Sequence, residues 1–175
     1  DHYRAVADAS PVPVLLYNFT SVTGINLTPD TVATLAQHPN IVGQKDSNGD
    51  VGQAAAIVAR VSPDFPLLVG SASTIYPAMM VGAAGAIVAV ANVVPEVCVA
   101  LYDLARAGRH DEARALQRRL TPLAVAVTGT YGIAGLKAAM EMAGYIGGAP
   151  RMPLPPVRAE ARDALKRLYE ELVAT

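Results

Sequence analysis

The segment Ile41–Ser47, with the sequence IVGQKDS, is an apolar run that ends in charged and polar residues. Short runs of this kind that contain β-branched residues predict buried strands. Lysine is among the residues least often fully buried, so a lysine at the end of such a strand needs an explanation. Alternate residues of a strand share a face. The first face is expected to carry Ile41, Gly43, Lys45 and Ser47, and the second Val42, Gln44 and Asp46.

Three further segments repeat this pattern along the chain. Strands are predicted near residues 12–18, 41–47, 66–71 and 85–90. Helices are predicted after the first three of them, at residues 29–38, 50–61 and 74–81. Strands that alternate with helices predict βαβ units and a parallel sheet. After Pro95 only helices are predicted, at residues 95–107 and 110–128, divided by Gly108, and then at 133–143 and 159–172.

Four parallel strands suit either a small open sheet or half of an eight-stranded (β/α)8 barrel, which typically takes about 250 residues. The chain opens at Asp1 without an initiator methionine and reads as the middle of a helix, which favours half a barrel. We therefore predict an α/β fold, the C-terminal half of a TIM barrel comprising its last four βα units, over residues 1–94. Residues 95–175 are predicted to form the last barrel helix and a C-terminal helical extension.

Composition excludes several classes of protein. The 175 residues are 52% hydrophobic and 17% charged, which is too apolar for a disordered chain. The net charge of −1 provides no basic surface for nucleic acid. The longest apolar region, residues 83–101, is interrupted by Asn92 and Pro95, so no membrane span is predicted. The single cysteine, Cys98, excludes an internal disulfide and is expected to be apolar filler.

Histidine spacing gives no metal motif. The three histidines, His2, His38 and His110, are scattered along the chain without the spacing of metal ligands. No metal site is therefore predicted, and all three histidines are expected at the surface. The Ala/Arg-rich composition is typical of a bacterial cytoplasmic protein.

Lys45 and Tyr17 end neighbouring predicted strands, where (β/α)8 barrels carry their catalytic groups. If Lys45 faces the barrel interior, its amine is poorly solvated, which favours the neutral form. A neutral amine attacks a ketone to form a Schiff base. The phenol of Tyr17 is placed to relay protons. The residues alone leave a second interpretation open, in which Lys45 lies at the surface and pairs with Asp46 or Asp50.

Four motifs carry a family resemblance: YNFTSVTG (17–24), KDSNGD (45–50), GSAS (70–73) and GAIVAVAN (85–92). In order and spacing they resemble the dihydrodipicolinate synthase / N-acetylneuraminate lyase family of class I aldolases, across essentially the whole chain. The resemblance implies a (β/α)8 barrel with a C-terminal helical extension. It implies that Lys45 is the Schiff-base lysine and Tyr17 the proton-relay tyrosine. Gly70 and the main chain at Ile87 are implied to line the pyruvyl pocket.

The motifs also depart from the family pattern. Thr20 stands where members often carry proline, and Val22 stands where dihydrodipicolinate synthases carry an arginine that binds a carboxylate of the second substrate. Residues 37–50 and 127–154 resemble the 4-hydroxy-2-oxoglutarate aldolases, and Ser47 fits that subgroup because its hydroxyl can bind the substrate's hydroxyl or distal carboxylate. The family's Gly-rich turn, which holds the pyruvate carboxylate, has no counterpart in this sequence.

The resemblance implies a carbon–carbon lyase that cleaves 4-hydroxy-2-oxoglutarate to pyruvate and glyoxylate. The covalent imine with Lys45 replaces any cofactor, and the expected partner is a small 2-oxo acid in a cytoplasmic homotetramer, with no nucleic acid or membrane. The alternatives that stay open are a dihydrodipicolinate synthase-like enzyme, a sugar-acid aldolase or dehydratase, and a non-catalytic ligand-binding relative. Half a barrel has unpaired strand edges, so the isolated chain is also a candidate for a poorly soluble, inactive fragment.

Overall fold

Four parallel strands form one sheet in the computed structural model, which describes residues 1–174. The strands are β1 Val14–Asn18, β2 Ile41–Asp46, β3 Leu67–Val69 and β4 Gly85–Ala86, and they lie side by side in chain order. The helices around them are α1 His2–Ala9, α2 Thr20–Thr23, α3 Pro29–Leu35, α4 Val51–Val58 and α5 Ile75–Met80. The predicted alternation of strands and helices is confirmed. These elements make up one unit, Asp1–Ile87.

Two helices of this unit begin at side-chain caps that the sequence places there. The Thr28 hydroxyl accepts a hydrogen bond from the Thr31 N–H at 3.3 Å, and Pro29 occupies the first helical position of α3. The Asp50 carboxylate accepts one from the Gln53 N–H at 2.9 Å at the start of α4. Such caps satisfy N–H groups that have no partner inside the helix. They place the start of α4 directly after the loop that follows β2.

The alternation predicted for Ile41–Ser47 is wrong at its first two positions. Val14 pairs with Ile41 but Leu15 pairs with Gly43, so β2 has one extra residue, Val42, at this point. Ile41 is 3% exposed and belongs to the core cluster formed with the helices, whereas Val42 is 39% exposed. A one-residue bulge exchanges the two faces of a strand on one side of it. Beyond the bulge the predicted faces hold, because Gln44 and Asp46 are buried and Lys45 is not.

The fourth strand of the structure is shorter than the one predicted at residues 85–90. The strand ends at Ala86, and a 3₁₀ turn follows at Ala89–Asn92. The Ile87 N–H makes the last ladder bond, to the Val69 carbonyl at 2.9 Å. Because β3 itself ends at Val69, it offers the residues beyond Ile87 no partner for further pairing.

The second unit begins at Val88 and is helical. Its helices are α6 Pro95–Arg106, α7 His110–Val125, α8 Gly132–Met142 and α9 Ala159–Val173. The predicted division at Gly108 is confirmed, since this residue has a φ of +70° that suits glycine. One turn of π-helix extends α7 over Ala126–Thr130. No helix within residues 1–174 is both long and apolar enough to cross a membrane. The domain boundary after residue 94 stays a prediction.

Candidate active site

Tyr17 and Lys45 lie directly opposite each other near the C-terminal ends of β1 and β2. The Lys45 Nζ lies 4.3 Å from the centroid of the Tyr17 ring, within the range of a cation–π contact. Neighbouring strands are about 4.8 Å apart, so parallel pairing in this register is enough to bring the two side chains together. The structure thus joins the two candidates that the sequence places in separate motifs.

Ser47 completes a cluster with these two residues. Its N–H donates to the Asn18 carbonyl at 2.9 Å, which continues the β1–β2 pairing one residue beyond the strand. Its Oγ donates to the Tyr17 Oη at 3.4 Å. This distance is long, since hydroxyl pairs usually lie about 2.8 Å apart. The serine hydroxyl and the phenol are therefore neighbours whose mutual bond is weak, and each is available to a ligand.

Gly70, directly after β3, lets this cluster pack against the third strand. Its N–H donates to the Asp46 carbonyl at 2.6 Å. A Cβ at position 70 would lie 1.8 Å from the Ser47 Oγ, 2.8 Å from the Ser47 Cβ and 3.0 Å from the Lys45 Cε. Only glycine therefore fits without displacing Ser47. The predicted site glycine is in direct contact with two other predicted site residues.

Ile87 lies at the end of β4, the strand beyond Gly70. Its side chain is 47% exposed, and its main-chain N–H is used in the bond to Val69. A ligand at this strand end would therefore meet the carbonyl oxygen of Ile87 and not its N–H. The structure places Ile87 at the same edge of the sheet as the other candidates, which is the edge formed by the C-terminal ends of the strands.

The exposure and ion pairing of Lys45 can be compared with its two interpretations, an amine in the barrel interior and a surface lysine in an ion pair. Tyr17 is 47% exposed and Lys45 is half-buried, so the described chain does not enclose the amine. The ion pair with Asp46 or Asp50 that the surface interpretation expected is not formed, since none of the ion pairs within residues 1–174 includes Lys45. Asp46 is buried on the other face of β2, and Asp50 caps α4.

Sequence reasoning missed three residues around the cluster. The Phe19 ring stacks on the Tyr17 ring, with centroids 5.8 Å apart and an interplanar angle of 26°. Asn18 and Asp46, which follow Tyr17 and Lys45 in the chain, are 1% and 6% exposed and bonded to each other. The sequence offered one sign of this pair: a polar residue directly follows each candidate, on the opposite face of the strand.

The histidine prediction is wrong for one residue. His2 and His110 are exposed, but the His38 side chain is only 16% exposed. Its Nδ1 accepts from the Asn40 N–H at 3.2 Å, and its Nε2 lies 2.9 Å from an Asp8 carboxylate oxygen. These contacts join α1 to the loop before β2, so His38 has a structural role. Within the described residues, no group of three or more His, Cys, Asp or Glu side chains is placed to hold a metal ion.

Two potentially reactive side chains of the second unit, Cys98 and Lys137, are engaged in packing or hydrogen bonding. Cys98 on α6 is half-buried, and burial raises the pKa of its thiol to about 11 because desolvation disfavours the thiolate. Lys137 on α8 donates to the Gly147 carbonyl. A Cβ at Gly147 would lie 2.0 Å from the Lys137 carbonyl oxygen, so α8 and the Gly/Pro-rich segment after it are in close contact.

Known proteins are similar to this chain over most of its length. A sequence profile of the dihydrodipicolinate synthetase family matches residues 1–172. A 4-hydroxy-tetrahydrodipicolinate synthase of Exiguobacterium is 38% identical over 170 residues, covering 97% of this chain and 58% of that protein. An Emericella nidulans protein named "Probable 4-hydroxy-2-oxoglutarate aldolase, mitochondrial" is 38% identical over 175 residues, covering 99% of this chain and 56% of that protein. The chain thus spans less than three-fifths of these relatives.

Solved structures give the corresponding result for the fold. A dihydrodipicolinate synthase of Bacillus anthracis superposes with a TM-score of 0.92 at 30% identity, covering 97% of this chain and 58% of that one. YagE, a prophage protein of E. coli K12 solved in complex with pyruvate, superposes with a TM-score of 0.88 at 29% identity, covering 98% and 59%. These neighbours are TIM barrels, and this chain corresponds to their C-terminal half, which confirms the predicted fold class.

Proposed function

Because the chain belongs to the dihydrodipicolinate synthetase family, we propose that the complete gene product is a Schiff-base aldolase that acts on a small 2-oxo acid. The observation that carries this proposal is the amine of Lys45 beside the phenol of Tyr17, with the Lys45 Nζ 4.3 Å from the ring centroid. Imine chemistry needs a nucleophilic amine and a proton carrier within reach of the same carbon atoms. Adjacent ends of two parallel strands supply both.

The proposed reaction begins at the ketone of 4-hydroxy-2-oxoglutarate. The Lys45 amine attacks C2 and a C–N bond forms. The carbonyl oxygen then leaves as water, with one proton from the amine and one from the Tyr17 phenol, which gives a protonated imine and the Tyr17 phenolate. The Tyr17 phenolate takes the proton of the C4 hydroxyl. The C3–C4 bond then breaks, its electron pair passes to the imine nitrogen, and glyoxylate leaves. The phenol returns its proton to C3 of the enamine, and hydrolysis of the imine releases pyruvate and Lys45.

The other cluster residues have roles in binding. The Ser47 hydroxyl, 3.4 Å from the phenol oxygen, is placed to bind the substrate's hydroxyl or distal carboxylate. Gly70 leaves the space in which Ser47 and Lys45 stand. The carbonyl of Ile87 lines the strand edge that the pyruvyl group would face. The imine nitrogen serves as the electron sink, so the proposed route uses no metal or organic cofactor.

Val22 supports cleavage of 4-hydroxy-2-oxoglutarate over the synthase reaction. This residue is 72% exposed in α2 and offers no charge to a second substrate's carboxylate. The Emericella relative is named for the cleavage reaction. A second candidate is synthesis of 4-hydroxy-tetrahydrodipicolinate, which is favoured by the name of the Exiguobacterium relative at the same 38% identity. Both candidates use the same imine and differ in the aldehyde.

Assembly and location belong to the proposal as well. We expect a homotetramer in the cytoplasm, as the family resemblance implies. One solved relative of 28% identity is described as a monomeric dihydrodipicolinate synthase variant, so sedimentation of the gene product is the direct test of assembly.

Trapping of the imine tests the proposal. The complete gene product and the 175-residue chain are incubated separately with pyruvate and borohydride, and the modified residue is identified by peptide mass spectrometry. We expect a carboxyethyl group on Lys45 in the complete product, with Lys137 in the same digest as the unmodified control. A folded product without this adduct would overturn the aldolase proposal and favour the ligand-binding alternative. Coupled assays with 4-hydroxy-2-oxoglutarate and with the aldehyde of the synthases then distinguish the two reactions.

A further inference from the structure

The face of β1 and β2 opposite Lys45 carries a buried polar network centred on Asp46. One carboxylate oxygen, Oδ2, accepts hydrogen bonds from Asn18 Nδ2 at 2.9 Å and Gln53 Nε2 at 2.8 Å. The other, Oδ1, accepts from the Asn48 N–H at 2.9 Å. Asp46 is 6% exposed, and no ion pair within residues 1–174 includes it. A buried carboxylate without a cation is costly unless hydrogen bonds satisfy it, so these neutral donors are essential to it.

A main-chain donor sets the direction of the bonds in this network. The Leu27 N–H donates to Asn18 Oδ1 at 3.0 Å, which turns the Asn18 amide nitrogen towards Asp46. The same nitrogen donates to Asn26 Oδ1 at 2.8 Å, so Asn26 Nδ2 is left to donate to Gln53 Oε1, also at 2.8 Å. Gln53 must then present its nitrogen to Asp46. None of these amides can be reversed without losing a bond, so the network requires a group at position 46 that only accepts.

The network holds the backbone directly beside the candidate catalytic residues. The pair Asn18 and Asp46 follows the pair Tyr17 and Lys45 by one residue on each strand. Adjacent residues are joined by a planar peptide, so fixing one pair restricts the other. Hydrogen bonds on the exposed face offer little restraint on the phenol, since Tyr17 is 47% exposed and its bond to Ser47 is long. We therefore attribute the separation of the Lys45 amine and the Tyr17 phenol mainly to the buried network on the opposite face of the two strands.

We infer that Asp46 is a positioning residue that holds Lys45 and Tyr17 at the separation needed for imine chemistry. The inference rests on the proposed function, because it concerns the rate at which Lys45 forms and uses the imine. Gln53 extends the restraint to the first turn of α4, and Asn26 extends it to the loop before α3. The carboxylate does not contact the substrate in this scheme, since it lies on the opposite face of β2.

Four forms of the complete gene product test the inference: the wild type, Asp46→Asn, Gln53→Glu, and the double variant that carries both changes. In Asp46→Asn the new amide nitrogen meets a donor in either orientation, the Asn18 and Gln53 amides on one side or the Asn48 N–H on the other. Gln53→Glu sets two carboxylates against each other. In the double variant, the amide nitrogen introduced at position 46 donates to the carboxylate introduced at position 53, which restores one bond and the single negative charge. Such a cycle separates coupling between the two positions from their separate effects.

The measured quantity is the rate of inactivation by borohydride at a series of pyruvate concentrations. This rate is expressed per folded molecule. Misplacement of reacting groups by about 1 Å can cost about a hundredfold in rate, so we expect each single variant to lose about ten- to a hundredfold in maximal rate. The half-saturating pyruvate concentration should stay within about threefold, because binding of the ground state is not what Asp46 supports. The double variant should recover about tenfold of the maximal rate lost in Asp46→Asn.

Ile57→Val in α4 is the matched stability control, since Ile57 is fully buried in the core and its aliphatic side chain has no polar atom to bond in the network. It should lower the melting temperature and leave the maximal rate per folded molecule unchanged. If Asp46→Asn behaves in the same way, Asp46 contributes to stability alone and the inference is overturned. If Asp46→Asn does not fold, Gln53→Glu, at a half-buried position, decides the question by the same criterion. A wild type without any Lys45 adduct would instead overturn the proposed function, and the inference with it.

Discussion

The two faces of the β1–β2 edge have opposite properties, although their residues alternate along the same short segments. On the front face, Tyr17 is 47% exposed, and its hydrogen bond with Ser47 is 3.4 Å long. On the back face, Asn18 and Asp46 are 1% and 6% exposed, and their mutual bond is 2.9 Å long. The front face is therefore exposed, with a long hydrogen bond between its side chains. The back face at Asn18 and Asp46 is buried, with short hydrogen bonds whose donors and acceptors are defined.

This difference agrees with the separate tasks that the proposals assign to neighbouring residues. Groups that react with a substrate must remain accessible, so they cannot be fixed by dense packing around them. Groups that fix geometry work best where water is excluded, because hydrogen bonds are stronger there and unpaired groups are costly. A strand satisfies both needs, because consecutive side chains point to opposite faces.

The largest expected effect is on the front face, from Lys45→Met. Methionine retains the length of the side chain but has no amine, so all pyruvate trapping at position 45 should disappear. Stability should change by less than about 0.5 kcal/mol, since the lysine is half-buried and has no ion pair in the described chain. Peptide mass spectrometry and thermal melting measure the two effects. Lys137→Met in α8 is the control, and an undiminished adduct elsewhere in Lys45→Met would refute Lys45 as the nucleophile.

Tyr17→Phe is expected to have the next largest effect. The ring that faces the Lys45 amine is retained, but the phenol proposed to move protons is lost. General acid–base groups contribute about 10²- to 10⁴-fold, so turnover should fall by about that factor while the trapped adduct still forms. Steady-state assays and borohydride trapping distinguish the two steps. Phe19→Leu removes the stacked ring but no proton carrier, and a comparable loss of turnover in that variant would argue against proton relay.

Gly70→Ala tests how closely the front face is packed. The new Cβ would meet the Ser47 Oγ at 1.8 Å and the Lys45 Cε at 3.0 Å. Its backbone conformation is one that alanine adopts, so the cost is steric and should be about 1–3 kcal/mol in the free energy of unfolding. Urea unfolding measures it. The second change Ser47→Gly should restore more than half of the lost stability, and failure to do so would mean that the strain lies elsewhere.

The smallest expected effect is on the back face, from Gln44→Met. Gln44 is fully buried, and within the described residues its Oε1 has no hydrogen-bond partner, while its Nε2 is 3.4 Å from Asp46. An unpaired buried acceptor costs about 1–3 kcal/mol, so an apolar side chain of the same length should stabilise the fold by about 1 kcal/mol. The midpoint of urea unfolding measures the change. Gln53→Met, which removes satisfied bonds, should destabilise; equal losses in both variants would show that Oε1 is bonded.

Much of the fold follows from local patterns. The strands around Leu16 and Gln44 are apolar runs, and the starts of α3 and α4 are marked by Thr28 and Asp50, so their approximate positions are predictable. The ends of strands are less so. Whether β4 continues past Ala86 depends on where β3 ends, and the exchange of faces at Val42 depends on its pairing with β1. Such features are decided by a neighbouring strand that is distant in sequence.

By itself, the sequence determined a parallel sheet whose strands alternate with helices, and it marked two residues, Tyr17 and Lys45, at the ends of consecutive strands. These follow from periodicity and from motifs whose residues are close in the chain. Only the tertiary structure decided that Gly70 must lack a side chain and that Asp46 is satisfied by amides from separate loops and helices. The physical reason is that hydrogen bonds and steric limits act over a few ångströms, between groups whose proximity exists only once the chain has folded.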